Sequence, residues 1–281
     1  MPDQTPWPTF PVPGTTSHTI AAPEGTLRYL KAGTGAPLVL LHTVRTQAEH
    51  FRDLIPLVAD RYTVYALDLP GMGYSEIVPG ASYEEPAMRA GVERLLTELD
   101  LDDVTLLGES MGAVLALTTA ADLPDRVRRV VAVNAYDFRG GIARSGLLAR
   151  AVVTGVLAPG VGPLIAGVEP KAVMRRILRG GLGDKTALRE DYLDELLRVG
   201  RRPGYPAVAW ASTGTCPASS RPAPATPKSR PPSTSSTASR TGPDRRTGRP
   251  TRTCCPTPNS PRCRARATSS PWNGPRYWPP C

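Results

Sequence analysis

The sequence predicts an α/β protein: a three-layer sandwich in which a mostly parallel, twisted sheet lies between helices and carries a helical cap, with the C-terminal strands of the sheet lost or disordered. Three observations predict it. Short apolar runs alternate with helix-like runs up to Val133, as parallel strands joined by crossover helices do. Gly108-Glu109-Ser110-Met111-Gly112 stands between the apolar run Val104-Thr105-Leu106-Leu107 and the helix-like run Ala113-Val114-Leu115-Ala116-Leu117. From Trp210 to Cys281 there is not one Val, Ile, Leu, Met or Phe, so that stretch has little to build a core from.

Composition separates the two pieces further. The 281 residues suffice for one α/β domain of moderate size. The formal net charge of +9 comes from the tail, which holds 12 Lys/Arg against the single acid Asp244. Residues 1–209 hold 22 basic and 24 acidic residues, so the basic balance says nothing about the folded part. All five cysteines (Cys216, Cys254, Cys255, Cys263, Cys281) also lie in the tail, an odd number without zinc-type C-x-x-C pairing. Met1-Pro2-Asp3-Gln4 has neither a basic nor an apolar leader pattern, so no signal peptide is read and a cytoplasmic location is expected.

The elements follow in order. Residues 1–16 are Pro/Thr-rich and are read as a flexible N-terminus. Thr26-Leu27-Arg28-Tyr29-Leu30 alternates like a strand. Pro37-Leu38-Val39-Leu40-Leu41 is continuously apolar, as a strand buried on both faces should be. Gln47 to Ala59 has helical spacing, with Phe51, Leu54, Ile55 and Val58 on one face. Tyr62 to Leu67 is the next strand, and Glu84 to Leu99 an amphipathic helix with Val92, Leu95, Leu96 and Leu99 inward. Val104–Leu107 and Val127–Val133 complete the strands of a core spanning 17–137. From 138 to 204 only helix-like pieces occur (Leu147–Val156, Ala172–Ile177, Asp191–Val199), which reads as a helical cap. Residues 151–168 carry no charge, but Pro159, Pro163 and four glycines interrupt a run already short for a bilayer; an apolar cap lining a pocket is expected there rather than a membrane span.

A G-x-S-x-G between strand and helix is a nucleophile elbow. Its glycines let helix and strand approach, and the serine Oγ stands exposed at the helix N-terminus. Ser110 is the expected nucleophile, against the plainer reading of a helix N-cap serine. Asp68-Leu69-Pro70-Gly71-Met72-Gly73-Tyr74-Ser75 resembles the D-x-P-G-x-G-x-S turn of the α/β-hydrolase superfamily, and Leu41-His42 stands where that family has H-G. Thr43 follows His42 here, a departure from the family pattern. The resemblance covers about residues 17–209. It implies a serine-type, carboxylesterase-like hydrolase with no metal and no cofactor, acting on a small-molecule substrate.

The family's oxyanion hole would be the Met111 N–H and one N–H of the His42 loop, most simply that of Val44. Two such donors matter because charge develops on the carbonyl oxygen in the transition state. His42 and Thr43 are expected to support that loop, and Glu109 to be solvated or to anchor it. A serine needs a histidine to take its proton, and the family places that histidine after the serine. His18, His42 and His50 all precede it. Asp137, after the last strand, is the weak alternative for the triad acid, the competing reading being a loop aspartate or helix cap. A serine rather than an aspartate at the elbow argues against the carboxylate-nucleophile chemistry of dehalogenases and epoxide hydrolases in this fold. It favours ester, thioester, lactone or C–C bond hydrolysis, or a cofactor-free haloperoxidase-like activity.

Residues 205–281 form a Pro/Arg/Ser/Thr-rich tail, read as out of frame and disordered. Taking the third base of each codon with the first two of the next, Trp272-Asn273 must read Glu, Tyr277-Trp278 must read Leu and Trp278-Pro279 must read Ala. Over Arg266 to Pro280 the same shift permits G-H-F-V-P-M-E-R-P-E-V-L-A-A, which resembles the family segment that carries the catalytic histidine. Over Pro232 to Arg246 it permits V-H-L-V-Y-G-E-Q-D-W-S-R-P-E, which resembles the seventh strand and its acid. The break is expected between about Tyr205 and Pro232. The chain as written therefore lacks two triad members and is expected to be an impaired hydrolase of a small apolar substrate. The alternative is a non-catalytic pocket-containing binding protein. Nucleic-acid binding through the basic tail lacks any aromatic-basic platform or fold motif and is not expected; no oligomeric state is readable.

Overall fold

In the computed structural model, which describes residues 10–21, 25–135 and 170–214, the apolar runs assemble into a six-stranded sheet. Its strands are β1 (Thr16–Ile20), β2 (Leu27–Ala32), β3 (Ala36–Leu41), β4 (Tyr62–Leu67), β5 (Val104–Glu109) and β6 (Val127–Val133), in the order β1-β2-β4-β3-β5-β6. β4, β3, β5 and β6 run parallel, while β1 and β2 add an antiparallel edge. β1 is missing from the sequence reading because it is almost wholly exposed and Thr16-Ser17-His18-Thr19-Ile20 carries little apolar signal.

β3 explains why the sheet needs two helical layers. Leu38 and Leu40 pack with Val64, Ala66, Phe51 and Ile55 on one face. Val39 and Leu41 pack on the other, with Leu67, Leu106 and the helices α2 (Glu85–Glu98) and α3 (Met111–Asp122). Successive strand residues point to opposite faces, so a continuous apolar run is buried on both. α2 starts with Pro86 in its first turn, where a missing N–H costs nothing. It buries Met88, Val92, Leu95 and Leu96 and carries Arg89–Glu85, Arg89–Glu93 and Arg94–Glu98 pairs at i,i+4 spacing on its outer side. β6 is the outermost strand among the described residues, and Val131 and Ala132 on it are exposed.

Three boundaries differ from the sequence reading. The helix expected over Gln47–Ala59 is two short pieces, a 3-10 turn at Ala48–Phe51 and the single turn α1 at Ile55–Val58. Pro56 in the first turn of α1 forbids a continuous ladder of hydrogen bonds through that point. The N-terminus expected to be flexible to residue 16 is packed from Phe10: Phe10 and Val12 are buried, Phe10 against Tyr192 with the Arg52 guanidinium 4.3 Å above its ring. The tail drawn from residue 205 begins later, because Tyr205–Gly214 is a helix that buries Tyr205, Val208 and Ala209. Its sequence signal is faint because Pro206 reads as a breaker, although Pro is tolerated in a first turn.

Between Pro170 and Gly200 the chain forms α4 (Lys171–Gly181), a 3-10 turn (Lys185–Ala187) and α5 (Glu190–Val199), with Tyr205–Gly214 as α6. Leu188, Tyr192 and Leu196 form an apolar cluster with Phe10, Met174, Leu178 and Leu182. The helix expected at Leu147–Val156, and Asp137, lie outside the described residues. Among the described residues no helix is long and apolar enough to cross a membrane.

Candidate active site

β5 ends at Glu109 and α3 begins at Met111, so Ser110 alone makes the turn between strand and helix. It does so at φ 54° and ψ −111°, a region that residues other than glycine avoid. Both flanking glycines are required by close approach. A Cβ on Gly108 would lie 2.0 Å from the Gly112 carbonyl oxygen, and one on Gly112 would lie 2.1 Å from that of Leu41. The Ser110 N–H is tied to the Val133 carbonyl at 2.8 Å. Its side chain makes no capping bond to α3, unlike an N-cap serine, which spends its hydroxyl on the helix. The strain is thus held by neighbours on β3 and β6, and the hydroxyl is not consumed by the helix. Met111 is the first residue of α3, so its N–H has no acceptor within the helix.

The loop after β3 runs from His42 to Gln47. His42 is fully buried, with Nδ1 at 2.8 Å from the Thr43 carbonyl and Nε2 at 3.0 Å from the Leu69 N–H. A carbonyl only accepts and an N–H only donates, which assigns the neutral tautomer with the proton on Nδ1. Burial drives its pKa from 6.5 down to about 4. Both ring nitrogens hold the loop, and neither is available as a base. The Thr43 carbonyl also receives the Thr46 hydroxyl at 2.9 Å and the Thr46 N–H at 3.3 Å, which closes the loop on itself. Val44 packs partly against the main core, and Arg45 turns the chain at φ 62°. His18 lies on the exposed edge strand β1, stacked on Tyr29.

The turn after β4 is a scaffold. Asp68 is buried and accepts from the Ala48 N–H (2.6 Å), the Tyr74 N–H (2.9 Å) and Arg28 Nη1 (3.0 Å). Ser75 Oγ donates to the Asp68 carbonyl at 2.6 Å and accepts the Arg28 N–H at 2.9 Å. Gly73 sits where any Cβ would be 2.3 Å from the Asp68 carboxyl carbon. The D-x-P-G-x-G-x-S pattern therefore builds a carboxylate-centred turn. Arg28 also holds Glu49 at 2.7 Å, and Gln47 Nε2 joins Glu49 (2.8 Å) to Glu195 of α5 (3.4 Å). Glu195 in turn accepts from the Tyr74 hydroxyl and from Arg198. Burial holds the Glu49 and Asp68 carboxyls above the usual carboxylate value, and the Arg28 charge offsets only part of that rise.

Residues 36–157 match the profile of the alpha/beta hydrolase fold family, and the strand order, elbow and Asp68 turn lie in or beside that span. The chain has the α/β-hydrolase fold. The chain is 33% identical over 126 residues to (E)-2-((N-methylformamido)methylene)succinate hydrolase of Acinetobacter baylyi, covering 45% of this chain and 48% of that protein. It is 34% identical over 120 residues to soluble epoxide hydrolase of Corynebacterium sp. strain C12, covering 43% and 41%. Among solved structures it resembles the epoxide hydrolase CorEH, with a TM-score of 0.61 and 25% identity over 71% of this chain and 74% of that one. The chain spans about half or less of the length of these two curated relatives.

The sequence reading left Glu109 either solvated or loop-anchoring. In the folded chain its carboxylate meets His50 Nε2 at 2.5 Å. Burial pushes the Glu109 carboxyl up, but the His50 hydrogen bond and charge outweigh it and hold the pKa below the usual glutamate value. His50 had no role assigned, since nothing in a linear sequence pairs residues 59 positions apart. The buried Arg28–Glu49–Gln47–Glu195 chain was missed too. Its one sequence signal is Arg28 between the core residues Leu27 and Tyr29 of a strand.

Proposed function

We propose that this protein is a serine-type hydrolase that cleaves an ester or related acyl bond of a small apolar substrate, with Ser110 as nucleophile. One observation carries the reading: a serine held at φ 54°, ψ −111° between β5 and α3 with no capping bond of its own. In the proposed reaction Ser110 Oγ bonds to the acyl carbon, and the developing oxyanion is taken by the Met111 and Val44 N–H groups. The leaving alkoxide departs with a proton, and water then releases the acyl group. In the frame-restored protein the hydroxyl proton goes to the histidine, supported by the acid, that the shifted frame permits over 266–280 and 232–246. The chain as written holds neither, so there the step lacks its proton acceptor and the hydrolase is impaired. His42 is committed at both nitrogens, so it does not compete for that role. The reading of a small apolar substrate rests on the uncharged run at residues 151–168.

The carboxylate-nucleophile route in this fold needs an aspartate at the position of Ser110, so the serine there argues against epoxide chemistry for this chain. The hydrolase of a succinate derivative is the more relevant relative for acyl chemistry. The proposed frame break lies between about Tyr205 and Pro232. The test has two parts. Sequencing the gene from the Tyr205 codon onward should reveal a single inserted or deleted base. Restoring the frame should then raise hydrolysis of short p-nitrophenyl acyl esters at least a thousandfold over the chain as written. Equal rates for both forms, or best rates with sugars or peptides, would overturn the proposal.

A further inference from the structure

Ala48, Glu49 and His50 are consecutive, and each is fastened to a different part of the molecule. The Ala48 N–H donates to Asp68 in the turn after β4 at 2.6 Å. Glu49 accepts from Arg28 of β2 at 2.7 Å. His50 reaches Glu109, the residue immediately before the nucleophile, at 2.5 Å. The first two bonds fix the exit of the His42–Gln47 loop to the scaffold. The third fixes it to the elbow.

We infer that His50 is a positioning residue which, with Glu109, sets the spacing between the oxyanion loop and Ser110. This rests on the proposed hydrolase reading. The two N–H groups assigned to the oxyanion belong to separate segments, Val44 on the loop and Met111 on the elbow. Their separation must therefore be held by contacts between those segments. On one side the contact is the close approach of Gly112 to the Leu41 and His42 carbonyls. On the other it is the His50–Glu109 pair. The pair is sheltered, with side chains 19% and 22% exposed, and the His50 ring meets Phe51 edge-on at 5.4 Å and tilts against Tyr192 of α5 at 6.3 Å. The imidazole is thus packed where it acts, so its bond to Glu109 can transmit position.

Two measurements on the full chain test this. Hydrogen exchange by mass spectrometry reads the loop directly and needs no reactive serine. His50→Leu should speed exchange of amides 43–47 about tenfold or more and leave α2 unchanged, while His50→Gln, whose amide N–H still reaches Glu109, should exchange like the wild type. Labelling of Ser110 by an alkyl fluorophosphonate reads the consequence. A displacement approaching 1 Å costs on the order of 10²-fold in rate, so His50→Leu should label 10- to 100-fold more slowly and His50→Gln within about threefold of the wild type. Unchanged exchange in His50→Leu, or equal losses in both variants, overturns the positioning role. A wild type that is never labelled at Ser110 counts against the hydrolase reading instead, and the exchange result still decides whether the pair holds the loop.

Discussion

His42 makes stability depend on pH in a way that can be isolated. Burial holds its pKa at about 4, against 6.5 in the unfolded chain. Between those values the unfolded state binds a proton that the native state refuses. The stability this histidine contributes is therefore complete above pH 6.5 and lost as pH falls toward 4. The displacement corresponds to about 3 kcal/mol, a large fraction of an ordinary domain's stability. Many other groups titrate in the same range, so the comparison should be with His42→Gln, whose amide oxygen can accept the Leu69 N–H but does not titrate. Urea unfolding of both proteins at steps from pH 8 to pH 4 gives two curves. The wild type should lead at pH 8, and its lead should shrink by about 3 kcal/mol by pH 4. Parallel curves would mean that His42 is protonated as easily inside the fold as outside it, and the neutral, doubly bonded imidazole would be wrong.

Three further outcomes are expected. Arg28→Met leaves Glu49 and Asp68 buried without their shared cation and should cost about 3–5 kcal/mol in urea unfolding; the loss should be smaller at pH 5 than at pH 8, because burial already pushes both carboxyls toward protonation. Gly112→Ala drives a methyl group against the Leu41 and His42 carbonyls and should cost at least about 1–3 kcal/mol while slowing fluorophosphonate labelling. Ser110→Gly relieves a backbone conformation that costs about 1–3 kcal/mol, partly offset by the extra freedom glycine gives the unfolded chain. It should raise the melting temperature by about 2–4 °C and abolish labelling.

The inner strands of the sheet were legible because β3 and β4 are buried on both faces, which leaves unbroken runs such as Leu38–Leu41. The elbow was legible because its glycines are imposed by backbone contacts that no other residue allows. β1 was not, since an exposed edge strand has no apolar periodicity to read. The broken helix at 48–58 misled because Phe51 and Ile55 face one core without sharing one helix. In the site, local patterns placed Ser110, Met111, Val44 and His42 on the elbow and the loop. The contacts that hold those segments together were invisible, because His50–Glu109 and Gln47–Glu195 join residues 59 and 148 positions apart. A buried ion-pair network shows in sequence only as an odd polar residue within an apolar strand, as Arg28 does.

The central claim, that Ser110 is a nucleophile awaiting its base, is tested most directly by fluorophosphonate labelling followed by peptide mass mapping. The measurement compares the chain as written, the frame-restored chain, and Ser110→Ala in each. A single adduct on Ser110, formed slowly in the first and rapidly in the second, and absent from both alanine variants, is the expected result. Adducts that persist in Ser110→Ala, or a frame-restored protein that labels no faster than the chain as written, would contradict it.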